Sequence, residues 1–415
     1  MTQSRLHATA VAAALFATPA LAAPGDPMPV ADGLTLDPII DLRVRYENVD
    51  QPGLEADAVT ARLRAGFEVR HASGFALLAE GEGTLALDND YNAFPFASPS
   101  HQRRPGFATV PDPETIELNR LQLQYKSEAA TVTLGRQRIN LDDQRWVGNG
   151  AGWRQNEQTY DAVRAEAKLG PVTLDTAYAK SQRTVFGSEA GARQAYDGDF
   201  GFLNAGVKLG PVQAKAFAYL LDYDEPFFLT NSSQTYGVRA TAVIPLAGAK
   251  LNLVGSYARQ SDFGRNPIDY SADYIAAEAG ATVAGFNLAG GWERLGSDHS
   301  AGASGFAVQT PMAALHKFNG WADVFLTTPN AGLEDAYLVL SRKFDGITAL
   351  PGLNAAVAWH QFDSDVGNIE YGTEWDASLG FKLGRAGLLA KYADYNARGF
   401  GVNTRKFWLQ AEIAY

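Results

Sequence analysis

The chain contains no cysteine and only three methionines among its 415 residues. Without cysteine there is no disulfide framework and no thiolate metal centre. Histidine is scarce too, with six in the whole chain, and no two of them have zinc-binding spacing. There is no glycine-rich phosphate loop, so no nucleotide-driven step is expected. Beyond the N-terminus there is no run of about 18 apolar residues, so spanning helices are excluded. A dense basic stripe is also missing. With 35 Lys+Arg against 46 Asp+Glu and a net charge of −11, no nucleic-acid partner is expected. What is present is aromatic and apolar residue, 11% and 46% of the chain, far too much for a disordered protein.

The first residues read as a secretory leader. Arg5 precedes an apolar stretch over residues 8–16, and Ala20-Leu21-Ala22 forms a small-residue cleavage site. The expected organisation is a signal peptide over 1–22, a short periplasmic lead over 23–35 and one barrel over 36–415. No cysteine follows the leader as a lipidation site. The mature protein therefore belongs to the periplasm or the outer membrane.

Period-two patterns dominate the rest. Ile40, Leu42, Val44 and Tyr46 alternate with Asp41, Arg43, Arg45 and Glu47. Trp375, Ala377, Leu379, Phe381 and Leu383 alternate with Glu374, Asp376, Ser378 and Lys382. Such alternation marks strands with one apolar face. The runs reach ten residues or more, which suits a tilted membrane strand of about 9–11. The connections alternate in length. Short ones fall at 71–74, 170–171, 210–211, 284–285 and 384–387; long ones at 89–113, 139–158, 183–198, 223–233, 296–332 and 363–372. The fold class expected is all-β: a transmembrane antiparallel up-and-down β-barrel of about 18 strands, with short periplasmic turns and long extracellular loops.

Lys168-Leu169-Gly170-Pro171-Val172 recurs as Lys208-Leu209-Gly210-Pro211-Val212. A period near 40 residues is also that of a propeller blade, but a blade would not leave one strand face charged. The C-terminus favours the barrel. Phe407, Leu409, Ala411, Ile413 and Tyr415 alternate with Trp408, Gln410, Glu412 and Ala414. A final strand ending on an aromatic residue resembles the signal read by the barrel-assembly machinery, an expected partner together with outer-membrane lipid. The expected location is the outer membrane of a Gram-negative bacterium.

Enzymatic function is not expected. His71 sits in a turn and His101 and His299 in loops, while His360, on a strand, has no serine near it in sequence. Asp88-Asn89-Asp90 supplies two carboxylates and an amide, short of a calcium cage. No cofactor and no metal site is expected. The inward faces of the first strands instead carry Arg43, Arg45, Arg62, Arg64 and Arg70, beside Glu47, Glu68, Glu80 and Glu82. Guanidinium groups in a lumen can guide anions. They can equally be paired across strands. The segment Gly135-Arg136-Gln137-Arg138 to Arg145-Trp146 and on to Trp153-Arg154-Gln155-Asn156 is more specific. Folded inward, its Arg136, Arg138, Arg145 and Arg154 would line a constriction, with Trp146 and Trp153 anchoring the loop to the wall.

At this segment the sequence resembles the alginate export family of outer-membrane proteins. A second matching stretch runs from Phe306-Ala307-Val308 through His316-Lys317-Phe318-Asn319-Gly320-Trp321-Ala322-Asp323 to Gly332-Leu333-Glu334-Asp335. The resemblance covers nearly all of the mature chain. It implies an 18-stranded barrel with an electropositive constriction, passively conducting an anionic saccharide of the polyuronate type, or other small anions, through the outer membrane. By position it assigns Arg136, Arg138, Arg145 and Arg154 to the constriction and Arg43, Arg62 and Arg64 to the lumen. The alternative reading is a general or substrate-selective porin importing small solutes. A barrel enzyme acting on lipid, or an adhesin using the 296–332 loop, is a more distant one.

Overall fold

The computed structural model describes residues 27–149 and 152–414. The expected leader at 1–22 and the terminal Tyr415 lie outside the described residues. Eighteen strands form one sheet that closes on itself. The first six are β1 (Leu34–Gln51), β2 (Leu54–His71), β3 (Phe75–Asp90), β4 (Thr115–Lys126), β5 (Ala130–Gln137) and β6 (Thr159–Leu169). Then come β7 (Val172–Arg183), β8 (Ala195–Leu209), β9 (Val212–Tyr223), β10 (Ser233–Leu246), β11 (Ala249–Asp262) and β12 (Ser271–Val283). The last six are β13 (Phe286–Leu295), β14 (Leu333–Lys343), β15 (Asn354–Asp363), β16 (Glu370–Leu383), β17 (Ala386–Ala397) and β18 (Thr404–Ala414). Each pairs antiparallel with its neighbour in sequence. β18 returns to β1, with partners running from Asp41↔Ala414 to Asp50↔Arg405. A barrel leaves no sheet edge, so every ladder group inside the bilayer has a partner. The first barrel strand begins at Leu34, and a short strand, Met28–Ala31, folds back on its start.

The two strand faces are chemically distinct. Leu118, Leu121, Leu123 and Tyr125 of β4 are exposed on the outside, where lipid covers them. On β1 to β3, Arg43, Arg45, Glu47, Thr60, Arg62, Arg64, Glu80 and Glu82 point inward and are buried. Burial of that many charges follows from what fills the lumen: loops, not water alone.

Connections alternate as the sequence suggests, with two exceptions. At the long-loop end β1 and β2 are joined by only Pro52 and Gly53, a two-residue turn with Gly53 at φ 81°, which glycine adopts without cost. At the short-turn end, residues 344–353 form a ten-residue connection. The described residues include the short 3₁₀ turns Ser188–Arg193, Leu229–Asn231 and Leu315–Lys317, and no α-helix. Circular dichroism in detergent should accordingly show β with little helix, and unheated protein should migrate faster than boiled protein in gels. A helix-rich spectrum would refute this architecture.

Candidate functional site: loops interlocked across the lumen

Cross-strand register builds a basic column on the inner wall. Arg43 of β1 stands opposite Arg62 of β2, and Asp41 opposite Arg64. Like charges directly opposed repel, so each guanidinium needs counter-charges. Arg43 has Glu412 at 2.9 Å and Arg62 has Asp41 at 2.5 Å. Arg64 pairs with Glu82 and reaches Glu157 at 3.4 Å. Arg45 donates to Gln410, and Asp112 lies 3.5 Å away. Arg43 and Arg45 also donate to backbone carbonyls of Gly152 and Trp153. Those carbonyls belong to a loop folded into the barrel.

That loop, residues 138–158, is held by its own charges. Arg138 pairs with Glu157, and Glu80 lies 3.7 Å away. Arg145 meets Glu293 of β13 at 2.8 Å and donates to Asn319 at 3.1 Å. Arg154 reaches Glu47 of β1 at 3.0 Å and Asp323 at 2.7 Å. Burial alone would favour neutral Arg154, but Glu47, Asp323 and Asp112 hold its pKa above the usual value. Burial likewise opposes charge on Glu157, yet Arg64 and Arg138 bring its carboxyl down to about 2. Trp146 packs on Phe217 and Tyr219 of β9 and on Tyr274 of β12, with ring centroids 6.0, 6.5 and 5.1 Å away. Gly237 of β10 makes this packing possible, because a Cβ there would collide with the Phe217 ring.

The second inward loop, residues 296–332, locks onto the first. Gly148 N–H donates to the Met312 carbonyl at 2.8 Å. The His316 ring stacks flat on Trp153 at 4.1 Å. Asn319 and Asp323 adopt left-handed backbone, φ 56° and 61°, conformations that Asn and Asp tolerate better than most residues. The bends turn both side chains to the wall. Asn319 donates to Glu293 at 2.8 Å and Asp335 at 3.2 Å. Between them Gly320 (φ 83°) sits against the Glu374 carboxylate, where a Cβ would not fit. Ala322 N–H donates to the same carboxylate at 2.7 Å.

Asp323 is the hub. It receives Arg154 at 2.7 Å, Lys406 of β18 at 2.9 Å and His316 Nδ1 at 2.7 Å. Burial would raise its pKa, but His316, Lys406 and Arg154 hold it well below the carboxylate range. Burial drives His316 the other way for an imidazole, well below 6.5, aided by Lys391 and Arg154 and only partly opposed by Asp323. The neutral ring therefore donates from Nδ1 to Asp323. Its Nε2 accepts from Lys391 Nζ of β17, 2.7 Å away.

Below the loops lies a cavity of about 830 Å³. Arg43, Lys391 and Lys317 border it, as do Glu278, Glu293 and Asp335. Val339, Ala356, Ala358 and Leu389 supply apolar lining.

Sequence reasoning brought several of these residues to notice. Arg43, Arg62, Arg64, Arg138, Arg145 and Arg154 all lie inside the barrel, each beside a carboxylate. Arg136 does not join them. It lies on the outer face of β5 with Val132 and Leu134 and pairs with Asp161 at 2.8 Å. The strand runs to Gln137, so the alternation carries Arg136 outward before the loop begins. His360 is an inward structural group, 2.9 Å from Asp335. Asp323, His316, Trp321, Lys391, Lys406 and Trp408 were not singled out as site residues. For His316, Trp321 and Asp323 the signal was the run His316–Asp323, which packs a histidine, a lysine, two aromatics and an acid into eight residues.

The family model described as Gram-negative porin matches residues 8–337. The chain belongs to the Gram-negative porin family. This overturns the alginate-export resemblance: the arginine–tryptophan loop and the His316–Asp323 run are parts of a porin's inward loops, and motifs of this composition do not separate the two kinds of barrel. Solved structures agree in fold. Pseudomonas aeruginosa OpdK, crystallised with vanillate, is 15% identical with a TM-score of 0.68, covering 91% of this chain and 98% of its own. Pseudomonas aeruginosa OpdQ is 15% identical with a TM-score of 0.67, covering 92% and 98%. Acinetobacter baumannii OccAB4 is 11% identical with a TM-score of 0.67, covering 91% and 97%. No curated protein matches the sequence. The porin is an outer-membrane channel for small solutes and not an enzyme.

Proposed function

We propose that this porin is substrate-selective and admits small carboxylate-bearing anions. The observation that carries the reading is the position of the basic column. Arg43, Arg45, Arg62, Arg64 and Lys406 stand on β1, β2 and β18, on the wall against which both inward loops close. A solute passing the loops moves along that wall. The apolar lining beside it suits the carbon skeleton of an organic acid, and vanillate, the molecule bound to the neighbour OpdK, is one. Among the arginines expected in the lumen, Arg43 borders the cavity directly. Arg138, Arg145 and Arg154 act indirectly, by fixing the loops that set its size, with Trp146 and Trp153 as anchors.

Reversal potential in a planar bilayer under a salt gradient tests this. Anion preference is the expected result, together with competition by a small organic carboxylate for chloride current. Cation preference, or no block by any carboxylate, would favour a general diffusion porin.

A further inference from the structure

The cations at the cavity are not equivalent. Arg43 is offset by Glu412 at 2.9 Å and Arg239 by Asp143 at 2.9 Å. Lys317 donates to the Asp143 carbonyl at 2.7 Å and is exposed, so water and salt screen it. Lys391 differs from all three. Its ammonium lies 4.0 Å from the Trp153 ring centroid, 3.6 Å from Trp321 and 5.5 Å from Trp408. Its one hydrogen-bond partner among the described residues is neutral His316, at 2.7 Å. No carboxylate of the described residues comes within ion-pair reach of it, and Asp376 and Asp323 act on it from beyond that distance. π faces stabilise a cation without neutralising it. The box is also short of acceptors. The indole N–H groups of Trp153 and Trp408 are buried with no acceptor among the described residues.

Resting on the reading of an anion-admitting porin, we propose that Lys391, held in this box of three tryptophans, is the specificity-determining residue that reads the solute's negative charge. The arginines of the column draw anions to the wall but each has a carboxylate partner, and Lys391 adds a cation with none within ion-pair reach. When protonated, Lys391 places its charge in a poorly hydrated lining, where its field is least screened. Trp153 and Trp321 come from the two inward loops, Lys391 and Trp408 from β17 and β18. The box therefore places the charge where loops and wall meet.

The natural chain has no cysteine, so a Lys391→Cys variant carries one thiol. Its anion-over-cation permeability ratio should fall about five-fold, equivalent to about 1 kcal/mol. Modification with an aminoethyl thiosulfonate, which restores an ammonium, should recover the ratio. A methyl thiosulfonate should not. Lys391→Arg should keep anion preference without any reagent. A structural role alone would make both reagents act alike, or change conductance without changing the ratio, and would overturn the proposal. So would an unchanged ratio in Lys391→Gln beside a normally anion-preferring natural protein. A natural protein with no anion preference would instead refute the underlying reading of function.

Discussion

Replacing Asp323 by Ala should raise single-channel conductance several-fold. The carboxylate joins Arg154 of one inward loop, His316 of the other and Lys406 of the wall, all within 2.9 Å. Removing one partner of a buried ion pair costs roughly 3–5 kcal/mol, because the charges left behind stay desolvated. Here two cations would remain. Moving the loops out toward water relieves that, and the lumen widens. The strand ladders do not pass through Asp323, so the heat-dependent gel shift should persist. Single-channel recording and amide hydrogen exchange over residues 305–332 provide the check. Conductance and protection equal to the natural protein would show that Asp323 does not fasten the loops.

Acidification should loosen the same lock. His316 is held neutral, its pKa well below 6.5 because burial, Lys391 and Arg154 oppose the imidazolium more than Asp323 favours it. A released loop would take up a proton near pH 6.5 and a docked one would not. Docking is then strongest above that pH and weakens as pH falls toward the docked pKa, by about 1.4 kcal/mol per pH unit. Asp323 acts in the same direction but lower. Its contribution is present above the ordinary carboxylate value and is lost only as pH falls through its depressed docked pKa. The window between pH 6.5 and about 4 therefore belongs to His316. Amide protection over 305–332 should decline across it, and His316→Gln should flatten the slope. Protection independent of pH in the natural protein would sink the idea.

The barrel was legible because its signal is local. Alternation such as Leu42–Val44–Tyr46 against Arg43–Arg45–Glu47 needs no knowledge of the partner strand. The two-residue turn at Pro52-Gly53 was hidden by its neighbours, since β1 and β2 run for 18 residues each and no polar loop separates them. The site was legible only in part. Arg145 and Arg154 stand out in a loop that cannot use them in water. Their counter-charges Glu293, Glu47 and Asp323 lie 148, 107 and 169 residues away in sequence, and pairing over such spans leaves no periodic trace. Lys391 sits in a strand whose other inward groups include Leu389, Ala393 and Tyr395. Nothing in its vicinity marks it until the tryptophans are brought to it from three other places. The family assignment failed for a related reason. Inward loops rich in Arg, Trp and amides answer a demand common to charged lumens, and composition does not say which solute the lumen passes.

Some of the ion pairs and rings that fix both loops fall on β1, β17 and β18, the strands beside the line where the sheet closes. Asp41 and Ala414, partners across that line, are nearly the whole chain apart. During folding this contact carries the largest loop-closure entropy of any in the barrel. Arg43 and Arg45 on one side and Lys406 on the other gain their partners from residues 152–154 and 323 only once it has formed. Loop docking and barrel closure are therefore one cooperative event. An open sheet has no place for the loops, and a closed barrel is stapled from within at the joint that is slowest to form.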